Sequence, residues 1–255
     1  MESSTKKKKS NIILALDLEV EKPQRLLTRS LQTLNTVHEY LCALKLNRQA
    51  VLPMGLFNGV QKIINRAKEL NLPTIMDAKI NDIGNTNRAI AEYYYKAGFD
   101  AVTASPFVGW TEGLQPVFEV AQKMNRGVIL LVYMSHRGAV EGYGQMVQDM
   151  ATRQLVLQYR IFAERALKWN ADGAVVGATY PEKIHEIHAV LKDKVAIYSP
   201  GVGAQGGDAE AAVKAGADYL IVGRSIVEAK DPARKAEQIR DTAWQSLKRR
   251  GEKVE

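Results

Sequence analysis

Short apolar runs alternate with longer amphipathic segments along most of the chain. The runs are rich in Val, Ile, Leu and Ala, which is typical of parallel strands buried on both faces. The segments between them, such as residues 56–70 and 87–97, space their apolar positions as helices do. Eight apolar runs occur, at residues 11–17, 40–46, 73–79, 100–105, 127–134, 172–178, 195–199 and 218–224. Eight strand–helix alternations in 255 residues predict a single α/β domain, a (β/α)8 TIM barrel.

A weak internal repeat marks the entry to three of the predicted strands. It occurs in residues 96–102, 168–176 and 214–220. In each copy a Gly or Asn, which tolerates the left-handed backbone that ends a helix, is followed two positions later by Asp. These junctions fall at the end of a barrel that carries no chemistry, so we assign the repeat to folding.

Composition and charge set limits on the class of protein. The hydrophobic fraction of 46% and the charged fraction of 25% are ordinary for a globular chain. No apolar run approaches the roughly 18 residues of a membrane span. Four of the charges behind the net charge of +7 are lysines of residues 6–9. The modest positive balance of the remainder suits an anionic small molecule, and we expect neither a nucleic-acid nor a membrane partner.

The first ten residues differ from the rest in composition. They contain a lysine run with no apolar region behind it, so they do not form a secretory signal. We predict a disordered basic N-terminal tail at residues 1–10 and a barrel catalytic domain at residues 11–250. The single cysteine, Cys42, lies in an apolar run, where burial is the default, and it fits a reducing cytoplasm.

Polar residues gather where the predicted strands end. They are Asp17, Lys45, Asp77, Lys79, Ser105, Ser135, Thr179, Ser199, Gly223 and Arg224. Chemistry in barrels lies at this end, and buried Asp and Lys are rare unless paired. Strand alternation would point Asp77 and Lys79 to one side and Ala78 to the other. The pattern indicates a site that handles a proton and a negative charge, with a structural ion-pair network as the alternative.

A glycine-rich stretch follows the seventh predicted strand. Gly201, Gly203 and Gly206 spell G-x-G-x-x-G before a predicted helix. A dinucleotide site would need an acidic residue at the end of the next strand, but that strand ends in Gly223 and Arg224, so we reject NAD. Loops after the seventh and eighth barrel strands commonly bind phosphate, and an arginine fork grips a phosphate monoester.

No metal site is expected. His185 and His188 lie three residues apart on a predicted helix, but no third ligand is placed at a strand end. Both are interpreted as solvent-facing helix residues.

Four elements in this order and spacing resemble the orotidine 5′-phosphate decarboxylase family in its short archaeal and bacterial form. They are "DAKINDIGNT", "MSHRGA", "SPGVGAQGGD" and "IVGRSI". The resemblance implies a cytoplasmic carboxy-lyase of pyrimidine (UMP) biosynthesis that converts orotidine 5′-phosphate to UMP with no metal and no cofactor. It also implies a homodimer in which Asp82, Ile83 and Thr86 reach the partner's site.

The same resemblance implies a role for each site residue. Lys79 would protonate C6 of the pyrimidine, Asp77 would lie beside the departing carboxylate, and Lys45 and Asp82 would complete an array of alternating charges. The substrate-binding residues would be Asp17, Lys45 and Thr86 for the ribose, Ser135 and Gln205 for the base, Pro200 as a wall, Gln205, Gly223 and Arg224 for the phosphate, and Ile83 beside Asp82.

Two departures from the family pattern are visible. Arg137 stands where the family commonly has proline, and the stretch "KLNRQAV" after the second strand is unusual. Two alternatives stay open. One is a metal-dependent sugar-phosphate enzyme of the same superfamily, either 3-keto-gulonate-phosphate decarboxylase or hexulose-phosphate synthase. The other is a non-catalytic barrel that binds a phosphate ligand. Ser135 and Gln205 suit a pyrimidine and favour the decarboxylase.

Overall fold

Parallel strands close into a barrel in the computed structural model, which describes residues 1–19 and 21–251. The strands of this part of the chain are β1 (Ile12–Ala15), β2 (Ala43–Asn47), β3 (Thr74–Ile80), β4 (Ala101–Ala104), β5 (Gly127–Tyr133), β6 (Met146–Gln148), β7 (Leu155–Leu157), β8 (Gly173–Val176), β9 (Ala196–Pro200) and β10 (Tyr219–Val222). All except β6 and β7 form the closed barrel, in the order β1-β2-β3-β4-β5-β8-β9-β10. The predicted TIM barrel and all eight of its strands are confirmed.

Helices surround the barrel, and most of them connect its strands and pack on their outer faces. They are α1 (Glu2–Lys8), α2 (Pro23–Val37), α3 (Arg48–Met54), α4 (Val60–Glu69), α5 (Gly84–Ala97), α6 (Gln115–Met124), α7 (Ala139–Gly142), α8 (Gln158–Lys168), α9 (Pro181–Leu191), α10 (Ala209–Ala215), α11 (Arg224–Val227) and α12 (Pro232–Gly251). None of these helices of the described chain combines the length and apolarity needed to cross a membrane.

The core has two parts, because each strand is buried on both faces. Side chains such as Ile13, Ile75, Ile129 and Tyr198 fill the barrel interior. Their neighbours in sequence point outward and pack under the helices. This double burial explains why the strands read as continuous apolar runs rather than alternating ones.

Strands β6 and β7 form an antiparallel hairpin in the long connection between β5 and α8. Asp149 Oδ1 accepts hydrogen bonds from the N–H groups of Ala151 and Thr152 and closes the turn. The sequence pattern did not predict this hairpin. Its residues are mostly exposed, so they lack the apolar run that identified the barrel strands.

The repeated aspartates join neighbouring strands at the N-terminal end of the barrel. Asp100, Asp172 and Asp218 each accept a hydrogen bond from a backbone N–H of the preceding barrel strand, at 2.8 Å in all three cases. The Gly or Asn two positions earlier has a φ of 53° to 124°, the left-handed region that those residues tolerate. The repeat therefore serves folding, as predicted.

The prediction of a disordered tail at residues 1–10 is wrong. Residues Glu2–Lys8 form α1, which ends at Lys9 with a φ of 48°. Met1 packs against the interior cluster of the barrel, and Ser4 is buried. Helix α1 covers the apolar N-terminal end of the barrel, and this burial stabilises it. The lysine-rich composition gave no indication of that contact. At the other end of the chain, α12 includes Gly251, the last residue that the structure describes.

Candidate active site

A cavity of about 300 Å³ opens at the carboxyl ends of the barrel strands. Its lining includes six of the residues that the sequence predicted, namely Asp17, Lys45, Pro200, Gln205, Gly223 and Arg224. Gln49, in the first turn of α3, also lines it and was not predicted. The only signal for Gln49 was the unusual stretch that follows the second strand.

Two lysines and one carboxylate form a continuous charge array at this end of the barrel. Asp77 Oδ2 lies 2.8 Å from Lys45 Nζ and 2.7 Å from Lys79 Nζ. Lys45 Nζ also lies 3.7 Å from Asp17 Oδ2. Lys45 and Asp77 are buried, while 24% of the Lys79 side chain is exposed. Strands β2 and β3 thus bring together three of the predicted catalytic residues.

Electrostatics keep the buried members of the array charged. Burial works to lower the pKa of Lys45, but the Asp77 and Asp17 carboxylates outweigh it and raise that pKa. Burial works to raise the pKa of Asp77, but Lys45 and Lys79 outweigh it and hold that pKa well below its usual range. At neutral pH, Asp77 is therefore a carboxylate and Lys45 an ammonium.

The backbone of β3 bulges where it carries the array. Pairing with β4 is interrupted after Met76 and resumes at Ile80, so three residues of β3 lie opposite Thr103 alone. Within the bulge Lys79 has a φ of 49°, a conformation that is uncommon outside glycine and often marks functional sites. Asp77 and Lys79 meet as predicted, but through a bulge rather than through the regular alternation that the prediction assumed.

Thr103 is a site residue that the sequence analysis missed. Its hydroxyl donates to Asp77 Oδ1 at 2.9 Å and accepts from the Lys79 N–H at 2.9 Å. Only 2% of the residue is exposed. A single hydroxyl inside an apolar strand marks the position, but its contact with Asp77 depends on the bulge in β3, which no local pattern specifies.

Asp82, Ile83 and Thr86 lie apart from the array, on the turn into α5. All three are exposed, and Ile83 is 70% exposed. The Asp82 carboxylate accepts a hydrogen bond from the Ile83 N–H at 2.7 Å. Within the described residues, none of the three forms a side-chain hydrogen bond or an ion pair with Lys79, which pairs with Asp77.

Asn87 fixes this turn and was also missed. It is fully buried. Its Oδ1 accepts from the Asp82 N–H at 3.0 Å, and its Nδ2 donates to the backbone oxygens of Asp82 and Gly113. The turn that carries Asp82 is thereby tied to the segment that precedes α6.

Ser135 and Gln205 approach each other across residues 201–207, the glycine loop. Gly201 has a φ of 98°, and a methyl group added there would lie 3.0 Å from Ser135 Cβ and 3.2 Å from Gln205 Oε1. The close approach explains why glycine occupies this position. Arg137, two residues beyond Ser135, is exposed.

The glycine loop offers fewer free amides than the sequence pattern suggested. The N–H groups of four of its residues already donate within the protein, namely Gly203, Ala204, Gly206 and Gly207. Arg224, at the start of α11, is exposed and forms no ion pair with the described residues. An anion at this end of the cavity would therefore meet the Arg224 side chain rather than a full backbone cradle.

The described residues contain no group of three His, Cys, Asp or Glu side chains arranged to hold a metal ion. His185 is exposed, and His188 Nε2 lies 2.9 Å from Asp193 Oδ1. Cys42 is buried, and burial raises the pKa of its thiol to about 12.

Fold and site together define a (β/α)8-barrel enzyme with a charged centre at the carboxyl ends of its strands. A family model described as "Orotidine 5'-phosphate decarboxylase / HUMPS family" matches residues 10–239. The chain belongs to this family.

Named relatives and solved structures agree with the family match. The chain is 34% identical over 234 residues to orotidine 5′-phosphate decarboxylase from Methanococcoides burtonii, covering 92% of this chain and 97% of the relative. It is 36% identical over 237 residues to the enzyme of that name from Methanosarcina mazei, covering 93% and 96%.

Among solved structures, orotidine 5′-phosphate decarboxylase from Pyrococcus horikoshii has a TM-score of 0.71 at 34% identity, covering 93% of this chain and 99% of that one. The Methanocaldococcus jannaschii enzyme complexed with the inhibitor BMP has a TM-score of 0.74 at 30% identity, covering 92% and 98%. OMP decarboxylase from Leishmania donovani, at 24% identity with a TM-score of 0.83 over 96% and 98% of the two chains, shares the fold.

Proposed function

We propose that the protein is a carboxy-lyase that decarboxylates orotidine 5′-phosphate to UMP, the step that forms UMP in pyrimidine biosynthesis. The observation that carries this proposal is the ion-paired array of Lys45, Asp77 and Lys79 beside a cavity that also presents Arg224. The array supplies the charge that the reaction needs, and the arginine supplies a partner for the phosphate.

The reaction creates negative charge where the substrate has no conventional electron sink. The bond between C6 and the carboxylate carbon breaks, CO₂ leaves, and the electron pair remains on C6. A fixed ammonium stabilises that charge electrostatically and then gives a proton to C6. Lys79 takes this role, because its Nζ is held 2.7 Å from Asp77 Oδ2 and its side chain is 24% exposed, whereas Lys45 is buried.

Asp77 and the remote phosphate contribute in different ways. Asp77 fixes Lys79 and lies beside the position of the substrate carboxylate, where like-charge proximity favours departure of CO₂. Phosphate binding at Arg224, with Gln205 and Gly223, supplies binding energy that can be used at C6.

The rest of the cavity suits a nucleotide. Asp17 Oδ1 is buried and has no hydrogen-bond partner among the described residues, so it can accept a ribose hydroxyl beside Lys45. Ser135 and Gln205 read the pyrimidine, and Pro200 forms part of the wall. No metal or cofactor is assigned, because Lys79 serves both as the stabilising charge and as the proton donor.

A homodimer completes the site in this proposal. Asp82, Ile83 and Thr86 of each protomer reach the partner's cavity, where Asp82 adds the last charge of the array. Their exposure supports this arrangement. So do Phe57 and Tyr93, which are exposed and stack edge to face with ring centroids 6.3 Å apart, since exposed apolar patches commonly mark interfaces. The buried, unpaired Cys42 supports a cytoplasmic location.

The test follows the absorbance of orotidine 5′-phosphate with the wild-type protein and with Lys79→Ala. The wild type should form UMP in the presence of EDTA as well as in its absence. Lys79→Ala should lose at least ~10³-fold in kcat, since it removes both the charge and the proton. A wild type without turnover would refute the function, and a loss of turnover in EDTA would refute the metal-free mechanism.

A further inference from the structure

Thr103 lies where the pairing between β3 and β4 is irregular. It alone lies opposite the three bulged residues Asp77, Ala78 and Lys79. A bulge leaves ladder groups without partners on the neighbouring strand. The Lys79 N–H is such a group, and the Thr103 hydroxyl at 2.9 Å is its partner.

The chemistry of the hydroxyl fixes the direction of both bonds. A threonine hydroxyl has one hydrogen and two lone pairs. The Lys79 N–H can only donate, so it uses a lone pair of the hydroxyl. The ionised Asp77 carboxylate can only accept, so the hydroxyl hydrogen points at Asp77 Oδ1, 2.9 Å away.

The two bonds lock the Asp77 carboxylate in one orientation. Oδ1 accepts from Thr103, while Oδ2 accepts from Lys45 and Lys79. Without the hydroxyl, Oδ1 would lose this partner, and rotation about the last side-chain bond of Asp77 would meet less resistance. The Lys79 backbone, at a φ of 49°, would at the same time lose the bond that holds its N–H.

We propose that Thr103 is a positioning residue for the proton transfer. It acts through Asp77 and Lys79 by holding the carboxylate and the strained backbone that together set the place of Lys79 Nζ. The inference rests on the proposed function, because it concerns the step that Lys79 performs. Misplacing a reacting group by about 1 Å can cost on the order of 10²-fold in rate.

The chain offers a matched control for a purely structural role. Thr74, at the other end of β3, is also fully buried, and its hydroxyl lies 3.3 Å from Asp100 Oδ2. Thr74→Val therefore removes a buried strand hydroxyl that faces an aspartate, but far from the array. Valine keeps the branched shape of threonine at both positions, and Thr103→Ser keeps the hydroxyl at the site itself.

The experiment compares the wild type with Thr103→Val, Thr103→Ser and Thr74→Val. It measures kcat and KM for orotidine 5′-phosphate, with active sites counted by UMP titration, so that an unfolded fraction does not register as a slow enzyme. It also measures exchange of the C6 hydrogen of UMP for deuterium in D₂O by NMR, which follows proton transfer at C6 without loss of CO₂.

We expect Thr103→Val to lose about 10- to 100-fold in kcat and in the exchange rate, with KM changed less than about 3-fold. Thr103→Ser and Thr74→Val should stay within about 3-fold of the wild type in both rates. Retention of wild-type rates by Thr103→Val would overturn the inference, as would equal losses in Thr74→Val or in Thr103→Ser. A wild type that does not turn over would instead refute the proposed function.

Discussion

Asp77 is the side chain on which the contacts of the candidate active site converge. Three donors reach its two oxygens, one hydroxyl and two ammonium groups. Because Lys45 is buried beside it, the carboxylate also compensates a charge that would otherwise be costly to bury. Asp77 therefore both stabilises the buried charge of Lys45 and positions Lys79.

Asp77→Asn should lower the free energy of unfolding at pH 7 by roughly 2–4 kcal/mol, since Lys45 loses its nearer partner and keeps only Asp17. The folded-state pKa of Asp77 lies below its unfolded value of about 3.9. Its contribution is therefore fully present above about pH 4 and is lost as pH falls through the folded-state pKa. Urea unfolding of the wild type and of Asp77→Asn from pH 7 to pH 3 measures this difference in the free energy of unfolding.

Asp241→Asn provides the control for the carboxylate substitution. The Asp241 side chain is 55% exposed and pairs with Arg240, whose side chain is 21% exposed, so this variant should lie within about 1 kcal/mol of the wild type. The free energies of unfolding of the wild type and of Asp77→Asn should begin to converge only near pH 4. Convergence that began near pH 6 would contradict the depressed pKa of Asp77.

The sequence identified the residues of the array but not the residues that support it. Lys45, Asp77 and Lys79 could be predicted, because charged residues at the ends of apolar strands are conspicuous. Thr103 and Asn87 could not, because their roles depend on where a bulge and a turn place backbone groups. Those positions arise from pairing between strands and loops, which no local pattern specifies.

At the level of elements, α5 begins with the turn that presents Asp82. Asn87, in the first turn of the helix, makes three hydrogen bonds to the backbone of Asp82 and Gly113. The turn is exposed to solvent, but one buried side chain gives it a fixed shape. If this segment completes the partner's site, as proposed above, such preorganisation lowers the cost of binding there.

Asn87→Ala should lower kcat/KM by about 10-fold or more and the free energy of unfolding by roughly 1–3 kcal/mol, because it leaves buried backbone groups unpaired. Activity assays and thermal melts measure the two effects. Asn65→Ala, which removes an exposed helix asparagine bonded to Gln61, should change neither. Wild-type activity in Asn87→Ala would show that the turn holds its shape without this side chain.

Elements were predictable where burial imposed a pattern. The eight barrel strands are apolar on both faces and were all identified. The hairpin of β6 and β7 and helix α1 were not, because each is short and mostly exposed. Helix α1 depends on a contact between Met1 and the barrel interior, which becomes evident only once the barrel exists.

At the level of the whole molecule, the proposed shared site of a homodimer has a quantitative consequence for mixtures of two variants. Lys79→Ala and Asp82→Ala should each be nearly inactive. After subunit exchange at equal amounts, half of the dimers would be mixed, and each mixed dimer would hold one complete site. Activity should recover to about one quarter of the wild-type value. Absence of recovery, with exchange demonstrated by native mass spectrometry, would contradict a shared site.

The aspartates that open β4, β8 and β10 bear on the order in which the chain folds. Each joins a strand to the one before it in the barrel, across 26, 44 and 21 residues. The seam between β1 and β10 is different, because its side-chain bond from Asn11 to the Asp218 oxygen spans 207 residues. Contacts between near neighbours form at a lower entropic cost than distant ones. We therefore expect pairs of strands to assemble first and the ring to close last. Strand β1, the first barrel strand to be synthesised, would then be the last to gain its second neighbouring strand.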